Sequence, residues 1–289
     1  MEYLMTYGWA ILIISVVLVA LFQLGVFNQY AFAPRQQPGS CYVFRPYGPH
    51  SSSLIALSGV CTNSLPEYVG SFNGGSTYIA TAPVDSAQMT ISIWVSFTST
   101  SQSSQGMVGL ENGGCNQGYE LFLEGDYVKW RSNGPFADVY TTSFIPNVDQ
   151  WYNIVATYNG FTATLYRNGT VLASTNGAGS LVATATNTIL GAIGAPGPFE
   201  VPPFCSGYLL NGQMSNVQIY NTSLSANEVQ ALYLEGIGGA PTVLQNLAAW
   251  WPLNGNGNDY GGNNYNATVN PTANTVFYTG QWTTGYSVP

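Results

Sequence analysis

From Tyr3 to Phe27 the chain runs for 25 residues without a charge (YLMTYGWAILIISVVLVALFQLGVF). As an α-helix this run would reach roughly 37 Å at 1.5 Å per residue, whereas the hydrocarbon core of a bilayer needs about 20 residues. An apolar rod of that length has to be covered by lipid or by protein, and this condition constrains every reading of the chain. A secretory signal peptide would have a basic start, a shorter apolar core and a small-residue cleavage site. Here the start is acidic, at Glu2, and the run is too long. A plain membrane anchor satisfies the hydropathy. Glu2 points further, because a carboxylate beside an apolar helix is costly unless it stays at the interface or finds a partner. Among parallel helices it could pair with the terminal amine of a neighbouring copy.

The stretch Glu2-Tyr3-Leu4-Met5-Thr6-Tyr7-Gly8-Trp9-Ala10-Ile11-Leu12 resembles the N-terminal helix of archaeal type IV pilins and pilin-like surface proteins. The resemblance implies a membrane-inserted precursor whose basic leader is cut off. The helix then leaves the membrane and packs into a filament core of sister copies. Glu2, Tyr3, Tyr7 and Trp9 become assembly contacts. No basic leader precedes Met1, so the expectation is a processed form or a start internal to the precursor.

Residues 1–27 are thus read as the pilin-type helix and 28–40 (NQYAFAPRQQPGS) as a Pro/Gln/Gly linker. From residue 41 onward the chain is rich in Gly, Asn, Ser and Thr. Charged residues are 6% of the whole chain, with 5 Lys or Arg, 13 Asp or Glu, one His and a net charge of −8. That balance excludes a nucleic-acid partner, since too few cations are present to neutralise phosphates. His50 alone cannot support His-cluster metalloenzyme chemistry or a Ser-His-Asp triad. A 46% apolar and 14% aromatic content argues against disorder. So few carboxylates predict a slight pH dependence of stability.

Four cysteines occur, Cys41, Cys61, Cys115 and Cys205, none in Cys-x-x-Cys spacing. Two disulfides suit an extracellular chain better than zinc. Three connectivities are open; Cys41–Cys61 with Cys115–Cys205 is favoured, each bond stabilising by about 2–4 kcal/mol. Asn168, Asn221 and Asn266 open Asn-x-Ser/Thr sequons in predicted turns and are candidate glycosylation sites.

Period-two alternation dominates the remainder. Met89, Ile91, Ile93 and Val95 alternate with Thr90, Ser92, Trp94 and Ser96. Tyr119–Leu123 and Tyr127–Arg131 flank the short loop Glu124-Gly125-Asp126. Residues 152–158, 161–167 and 170–174 are separated by Asn159-Gly160 and Asn168-Gly169, and Asn211-Gly212 leads into 213–220. Asn-Gly supplies the positive φ of tight hairpin turns, and a meander of this kind indicates a sandwich or barrel. One helix interrupts it, with Ser225-Ala-Asn-Glu228 as capping box, Val229, Leu232 and Tyr233 as apolar stripe and Gly236 as its end.

Phe72-Asn73-Gly74, Ile91-Ser92-Ile93-Trp94-Val95, Trp151-Tyr152-Asn153-Ile154-Val155, Leu165-Tyr166-Arg167-Asn168-Gly169, Ile189-Leu190-Gly191 and Val217-Gln218-Ile219-Tyr220 stand in the order of the laminin-G-like or concanavalin-A-like jelly roll. The resemblance covers roughly residues 68–236. The implied fold class is mainly β: a long hydrophobic N-terminal α-helix followed by a jelly-roll β-sandwich with one short helix, the sandwich occupying residues 41–289. Ala248-Ala249-Trp250-Trp251-Pro252-Leu253 is similar to the family's opening strand, here placed last. Residues 244–289 are therefore expected to return as permuted strands of the same sandwich or, alternatively, to be donated to a neighbour.

Glycosidases of the laminarinase type on this fold carry Glu-x-Asp-x-x-Glu. Here Glu124-Gly125-Asp126-Tyr127-Val128-Lys129 has lysine at the last position, so the chain is expected not to be an enzyme. Family members often hold calcium on a rim loop, and Asn258 with Asp259 is the calcium candidate here, set in an Asn/Gly turn with one carboxylate. No other cofactor is called for. Trp94 and Trp151 are expected in the core. Trp250 and Trp251 are adjacent and point to opposite faces, so one is expected at the surface or an interface. The combined expectation is a structural subunit of an extracellular, type IV pilus-like surface filament, built as a helical homopolymer. Its sandwich coats the outside and serves adhesion, with surface glycans as partners. The alternative is a membrane-anchored carbohydrate-binding surface protein that never polymerises.

Overall fold

The computed structural model describes residues 13–19, 40–46, 52–58, 66, 68–75, 77–100, 104–111, 118–132, 134–181, 187–193, 208–241, 243–266 and 281–284, with backbone alone for 40–46, 52–58, 111 and 281–284. The chain divides into two units, one holding residues 1–41 and 58–60, the other the rest. In the first, residues 13–19 are helical (α1). Ile13, Ile14, Val16, Val17, Leu18 and Val19 are all exposed there. Among the described residues no helix is long and apolar enough to cross a membrane. The remainder of the expected 1–27 helix lies outside them, as do Glu2, Tyr3, Tyr7 and Trp9.

The second unit is a two-sheet sandwich. Its eight-stranded sheet runs in the order β12 (Thr170–Asn176), β11 (Thr162–Arg167), β10 (Trp151–Tyr158), β5 (Met89–Phe97), β16 (Asn211–Tyr220), β3 (Tyr68–Asn73), β18 (Gln281–Thr284). β17 (Leu247–Trp251) also pairs with β16. The six-stranded sheet runs β4 (Ile79–Thr81), β13 (Asn187–Leu190), β6 (Ser104–Glu111), β7 (Tyr119–Glu124), β8 (Tyr127–Ser132), β9 (Val139–Tyr140). Two further pairs are β1 (Ser40–Pro46) with β2 (Ser52–Ser58), and β14 (Ala192–Ile193) with β15 (Tyr208–Leu209), the latter antiparallel.

The alternation read from the sequence explains the core. Met89, Ile91, Ile93 and Val95 of β5 join Ile154, Ala156 and Tyr158 of β10. They pack in one cluster with Leu121 and Leu123 of β7 and Val128 and Trp130 of β8. Thr90, Ser92, Trp94 and Ser96 take the opposite face and are buried too. Helix α2 (Ala226–Glu235) and its following turn account for that. Val229 and Leu232 pack with Val155, Tyr166 and Tyr220, while Tyr233 stacks on Trp94 at 5.8 Å between ring centroids. The helix starts where expected: the Ser225 hydroxyl accepts from the Glu228 N–H, Glu228 accepts from the Ser225 N–H, and Gly236 ends it at φ 78°.

Turn chemistry holds at Gly125-Asp126 (φ 55° and 70°) and Asn168-Gly169 (φ 49° and 76°), where two successive positive φ values match the strand twist. Asn211-Gly212 is different: it lies inside β16 and makes no turn. Gly212 is there because a Cβ would stand 2.1 Å from the Ser96 carbonyl oxygen of β5.

The end of the chain enters the larger sheet twice, β17 on β16 and β18 on β3, both antiparallel. β16 makes room by changing partner along its length: residues 211–214 pair with β3 and 217–220 with β17. The outer edge of β17 is covered by the loop after it. The Asp259 carboxylate accepts from the Trp250 N–H, the Tyr260 N–H donates to the Trp250 carbonyl, and the Asn263 amide donates to the Ala248 carbonyl. An edge strand so covered offers no free ladder to a neighbour's sheet.

The same loop corrects the expectation for the tryptophan pair, since both are buried, Trp250 to 5% and Trp251 to 0% exposure. Trp251 enters the main core and its indole N–H donates to the Tyr265 carbonyl. Trp250 lies on the other face, where its indole N–H donates to Asn216 Oδ1 and Tyr260 packs edge-on at 6.1 Å. Trp94 and Trp151 are buried, as expected for core residues, though in the cluster beneath the helix and not between the sheets.

Candidate functional site

Charged residues are rare in this chain, so where they gather is informative. Tyr119, Leu121 and Leu123 of β7 and Val128 and Trp130 of β8 point into the core. By alternation the opposite face carries Glu120, Phe122, Glu124, Tyr127, Lys129 and Arg131. Register sets Glu120 against Arg131, Phe122 against Lys129, Glu124 against Tyr127, and Lys129 against Tyr140 of β9. Asp138 enters just before β9. Two of the chain's five basic residues and three of its thirteen acidic ones thus meet on three adjacent strands.

The charges pair with one another, two cations against three carboxylates, and leave the cluster with one negative charge in excess. Lys129 Nζ lies 2.6 Å from Glu124 Oε2. Arg131 grips Asp138 through Nε and Nη2, both at 2.9 Å, a two-pronged geometry that Arg suits and Lys does not. The same guanidinium stands 3.6 Å from Glu120 and 3.7 Å from Glu124. Hydrogen bonding to Asp138 pushes the Arg131 guanidinium above its ordinary value, while burial works against that. Aromatic faces seat both cations: Arg131 lies 4.6 Å from the Phe122 ring centroid and Lys129 4.8 Å from that of Tyr140. Tyr127 and Tyr140 are tilted neighbours at 6.3 Å, and Tyr140 is 45% exposed.

One side of this platform is walled by β14 and β15. Gly106 of β6 is opposite Phe122. A Cβ at Gly106 would stand 2.2 Å from the Ile193 backbone nitrogen, so only glycine lets β14 lie across that face. Glu120 and Phe122 are buried beneath it, and what remains accessible is a polar, ring-lined shelf with the carboxylates of Glu124 and Asp138, the Arg131 guanidinium and two tyrosine rings. Such a surface can hydrogen-bond hydroxyl groups and stack against the apolar faces of a sugar ring.

Glu124, Asp126 and Lys129 do not share a strand as a laminarinase-type motif requires. Glu124 ends β7, Asp126 is in the turn and Lys129 is on β8. Asp259 sits apart from the shelf. Its Oδ1 accepts from Trp250 N at 2.9 Å and Gly261 N at 2.7 Å, and its Oδ2 from Tyr265 N at 3.0 Å. Asn258 is exposed, and its N–H donates to Asn256. Among the described residues no group of three His, Cys, Asp or Glu side chains could hold a metal ion.

The sequon asparagines are dispersed. Asn168 is in the β11–β12 turn, with its Oδ1 accepting from Asn153 N at 2.9 Å. Asn221 is exposed just after β16, and Asn266 is exposed with its Oδ1 accepting from Asp259 N. Cys61, Cys115 and Cys205 lie outside the described residues, and Cys41 is described only as backbone.

Sequence reasoning did not assemble the shelf. It took up Glu124 and Lys129 only to set aside a glycosidase motif, and it passed over Glu120, Arg131, Asp138 and Tyr140. A usable signal was present: polar residues at alternate positions 120, 124, 127, 129 and 131 of two strands, in a chain with so few charges.

Residues 73–230, more than half of the chain, match the Concanavalin A-like lectin/glucanases superfamily. No curated protein matches the sequence. Among solved structures, a provisionally named carbohydrate-binding protein of Bacteroides ovatus is similar at a TM-score of 0.56 and 16% identity, covering 76% of this chain. This chain spans 62% of that structure. A heptameric SAP-like pentraxin from Limulus polyphemus is similar at a TM-score of 0.46 and 14% identity, over 58% of this chain and 82% of its own. The Ruminococcus gnavus IT-sialidase CBM40, solved with α2,3-sialyllactose, is similar at 0.43 and 16% identity, over 59% of this chain and 98% of its own. The jelly-roll expectation therefore rests on the chain's own strands, the family match and the first of these folds: this chain belongs to the Concanavalin A-like lectin/glucanases superfamily.

Proposed function

We propose that this chain is a cell-surface carbohydrate-binding protein whose saccharide shelf is the outer face of β7, β8 and β9. The observation that carries the reading is the concentration of Glu120, Glu124, Lys129, Arg131 and Asp138 around Tyr127 and Tyr140 in a chain with only 6% charged residues. Because these charges are already paired, the ligand the shelf suits is a neutral saccharide. The hydroxyls of such a ligand exchange hydrogen bonds with the pair edges while a ring face rests on tyrosine. The family match supports the reading, since lectins share this fold, although a fold alone names no ligand. The role is binding without turnover. Lys129 holds Glu124 at 2.6 Å where the hydrolytic motif would put a second glutamate, and retaining hydrolysis needs two carboxyls about 5–5.5 Å apart, both free to act. The test is a neutral-glycan array probed with the full chain and with Tyr140→Ala. Losing one stacking ring removes about 1 kcal/mol, roughly a fivefold weakening. A full set of neutral glycans left unbound would end this reading.

A second reading, a subunit of an extracellular pilus-like filament, is favoured by α1. Six apolar side chains of residues 13–19 are exposed, each between 45% and 59%. An uncovered apolar helix calls for lipid or for copies of itself. In the filament reading the sandwich is displayed outside for adhesion, which is compatible with the glycan shelf. Negative-stain microscopy of sheared surface material decides between them: filaments labelled by an antibody to this chain support polymerisation, and their absence leaves the anchored form.

A further inference from the structure

Sharing no lining residue with the shelf, an open cleft of about 570 Å³ lies between the loop 143–150 and the ends of β10, β11 and β12. That volume falls in the range of small-molecule sites, roughly 300–1,000 Å³. Arg167, the last residue of β11, lines it. Lys129 and Arg131 are locked in ion pairs, whereas among the described residues Arg167 has no carboxylate within 4 Å. Its guanidinium lies instead 4.6 Å from the Phe144 ring centroid. Phe144 is buried and held edge-on by Tyr152 at 5.1 Å, so the cation rests on a fixed plate.

The cleft wall is ordered as well. The Tyr152 hydroxyl donates to Gln150 Oε1 at 2.8 Å, the Asn147 amide donates to the same oxygen at 3.0 Å, and the Asn147 N–H donates to the Tyr152 hydroxyl at 3.1 Å. Ser143 and Thr170 add hydroxyls to the lining. A planar cation with five donors and, among the described residues, no carboxylate partner is matched by one planar carboxylate, in a two-pronged pair. In a chain of net charge −8, a lone Arg neutralises a monoanion, but would leave a phosphate dianion with uncompensated charge. The amide and hydroxyl lining suits the ring hydroxyls of the molecule that carries the carboxylate.

We infer that the cleft around Arg167 is a second binding site, independent of the neutral-sugar shelf, for the carboxylate of an acidic sugar. Uronic acids and sialic acids share this chemistry. Asn168 lines the same cleft, so a glycan attached there would crowd its mouth, and the test uses full chain in mild detergent from a host without N-glycosylation. The probes are methyl β-D-glucuronide and the methyl glycoside of N-acetylneuraminic acid, each compared with neutral methyl β-D-glucoside by titration calorimetry. At least one acidic probe is expected to bind tenfold or more tighter than the neutral one, and the tighter of the two identifies the sugar class. Arg167→Gln should abolish the preference and Arg167→Lys should keep part of it. In the unaltered chain the preference should shrink several-fold between about 20 and 500 mM salt, as an exposed charge pair requires, a readout that holds even if a variant fails to fold. Equal binding of acidic and neutral probes, no binding of either, a preference unmoved by salt, or one that survives in folded Arg167→Gln would each overturn the inference.

Discussion

Replacing Asp259 by Asn tests how the end of the chain is fastened. The native carboxylate accepts three backbone N–H groups: Trp250 and Gly261 on Oδ1 at 2.9 and 2.7 Å, and Tyr265 on Oδ2 at 3.0 Å. The side chain is 9% exposed, so water does not replace these bonds freely. A hydrogen bond to a charged acceptor is worth about 1.5–3 kcal/mol. Asparagine keeps a carbonyl oxygen for Trp250 and Gly261 but turns an NH2 toward the Tyr265 N–H, losing one bond and setting donor against donor. The expected loss is about 2–3 kcal/mol, or a melting temperature roughly 4–12 °C lower for a domain of this size. Asp259→Ala removes all three acceptors and should cost about 4 kcal/mol, less than three full bonds because the loop can relax toward water. Circular dichroism melts of wild type and both variants, with and without EDTA, are the assay. If the amides are what Asp259 serves, EDTA leaves every melt unmoved. Wild-type stability in Asp259→Asn would refute the hub. A wild-type melt lowered by EDTA as far as by the substitution would show that the carboxylate's work is holding calcium.

Single contacts elsewhere give further expected outcomes. Ser225→Ala removes the capping box of α2 and should destabilise by about 1 kcal/mol in urea unfolding. The Ser225 hydroxyl and N–H hold the Glu228 carboxyl below its ordinary value of 4.5. That contribution is present above pH 4.5 and is lost as pH falls through the lowered value, so Ser225→Ala should flatten this part of an acid-stability profile. Burial pushes the Tyr119 and Tyr220 hydroxyls well above their ordinary 10.0. Their contribution is complete below pH 10 and is lost as pH rises beyond it, so ultraviolet titration should show these two ionising only with alkaline unfolding. Gly212→Ala would set a Cβ 2.1 Å from the Ser96 carbonyl and should destabilise by about 3 kcal/mol or more. A near-native melt for it would mean that β16 and β5 yield easily.

Strand positions were legible because the core is period-two, and Met89 to Val95 reads correctly from alternation alone. The capping box of α2 and the Gly125-Asp126 and Asn168-Gly169 turns were legible because their chemistry is local. Asn211-Gly212 misled, because Gly212 answers a contact with Ser96 more than 100 residues earlier in the chain. Trp250 misled for the same reason: its cover comes from Asn216 and Tyr260, which no spacing rule places beside it. The shelf was half legible. Alternation puts Glu120, Glu124, Lys129 and Arg131 on one face, but the pairing of Asp138 with Arg131 depends on β9 joining β8. The cleft at Arg167 was not legible at all, since it needs the loop 143–150 folded against β11.

The central claim is that the outer face of β7 to β9 holds a neutral sugar. It is tested most directly by a crystal structure of the full chain soaked with the strongest neutral hit from the array. The account predicts a sugar ring resting on Tyr127 and Tyr140, with hydroxyls bonded to Glu124, Arg131 or Asp138. A ring bound elsewhere, with that face bare, would contradict it.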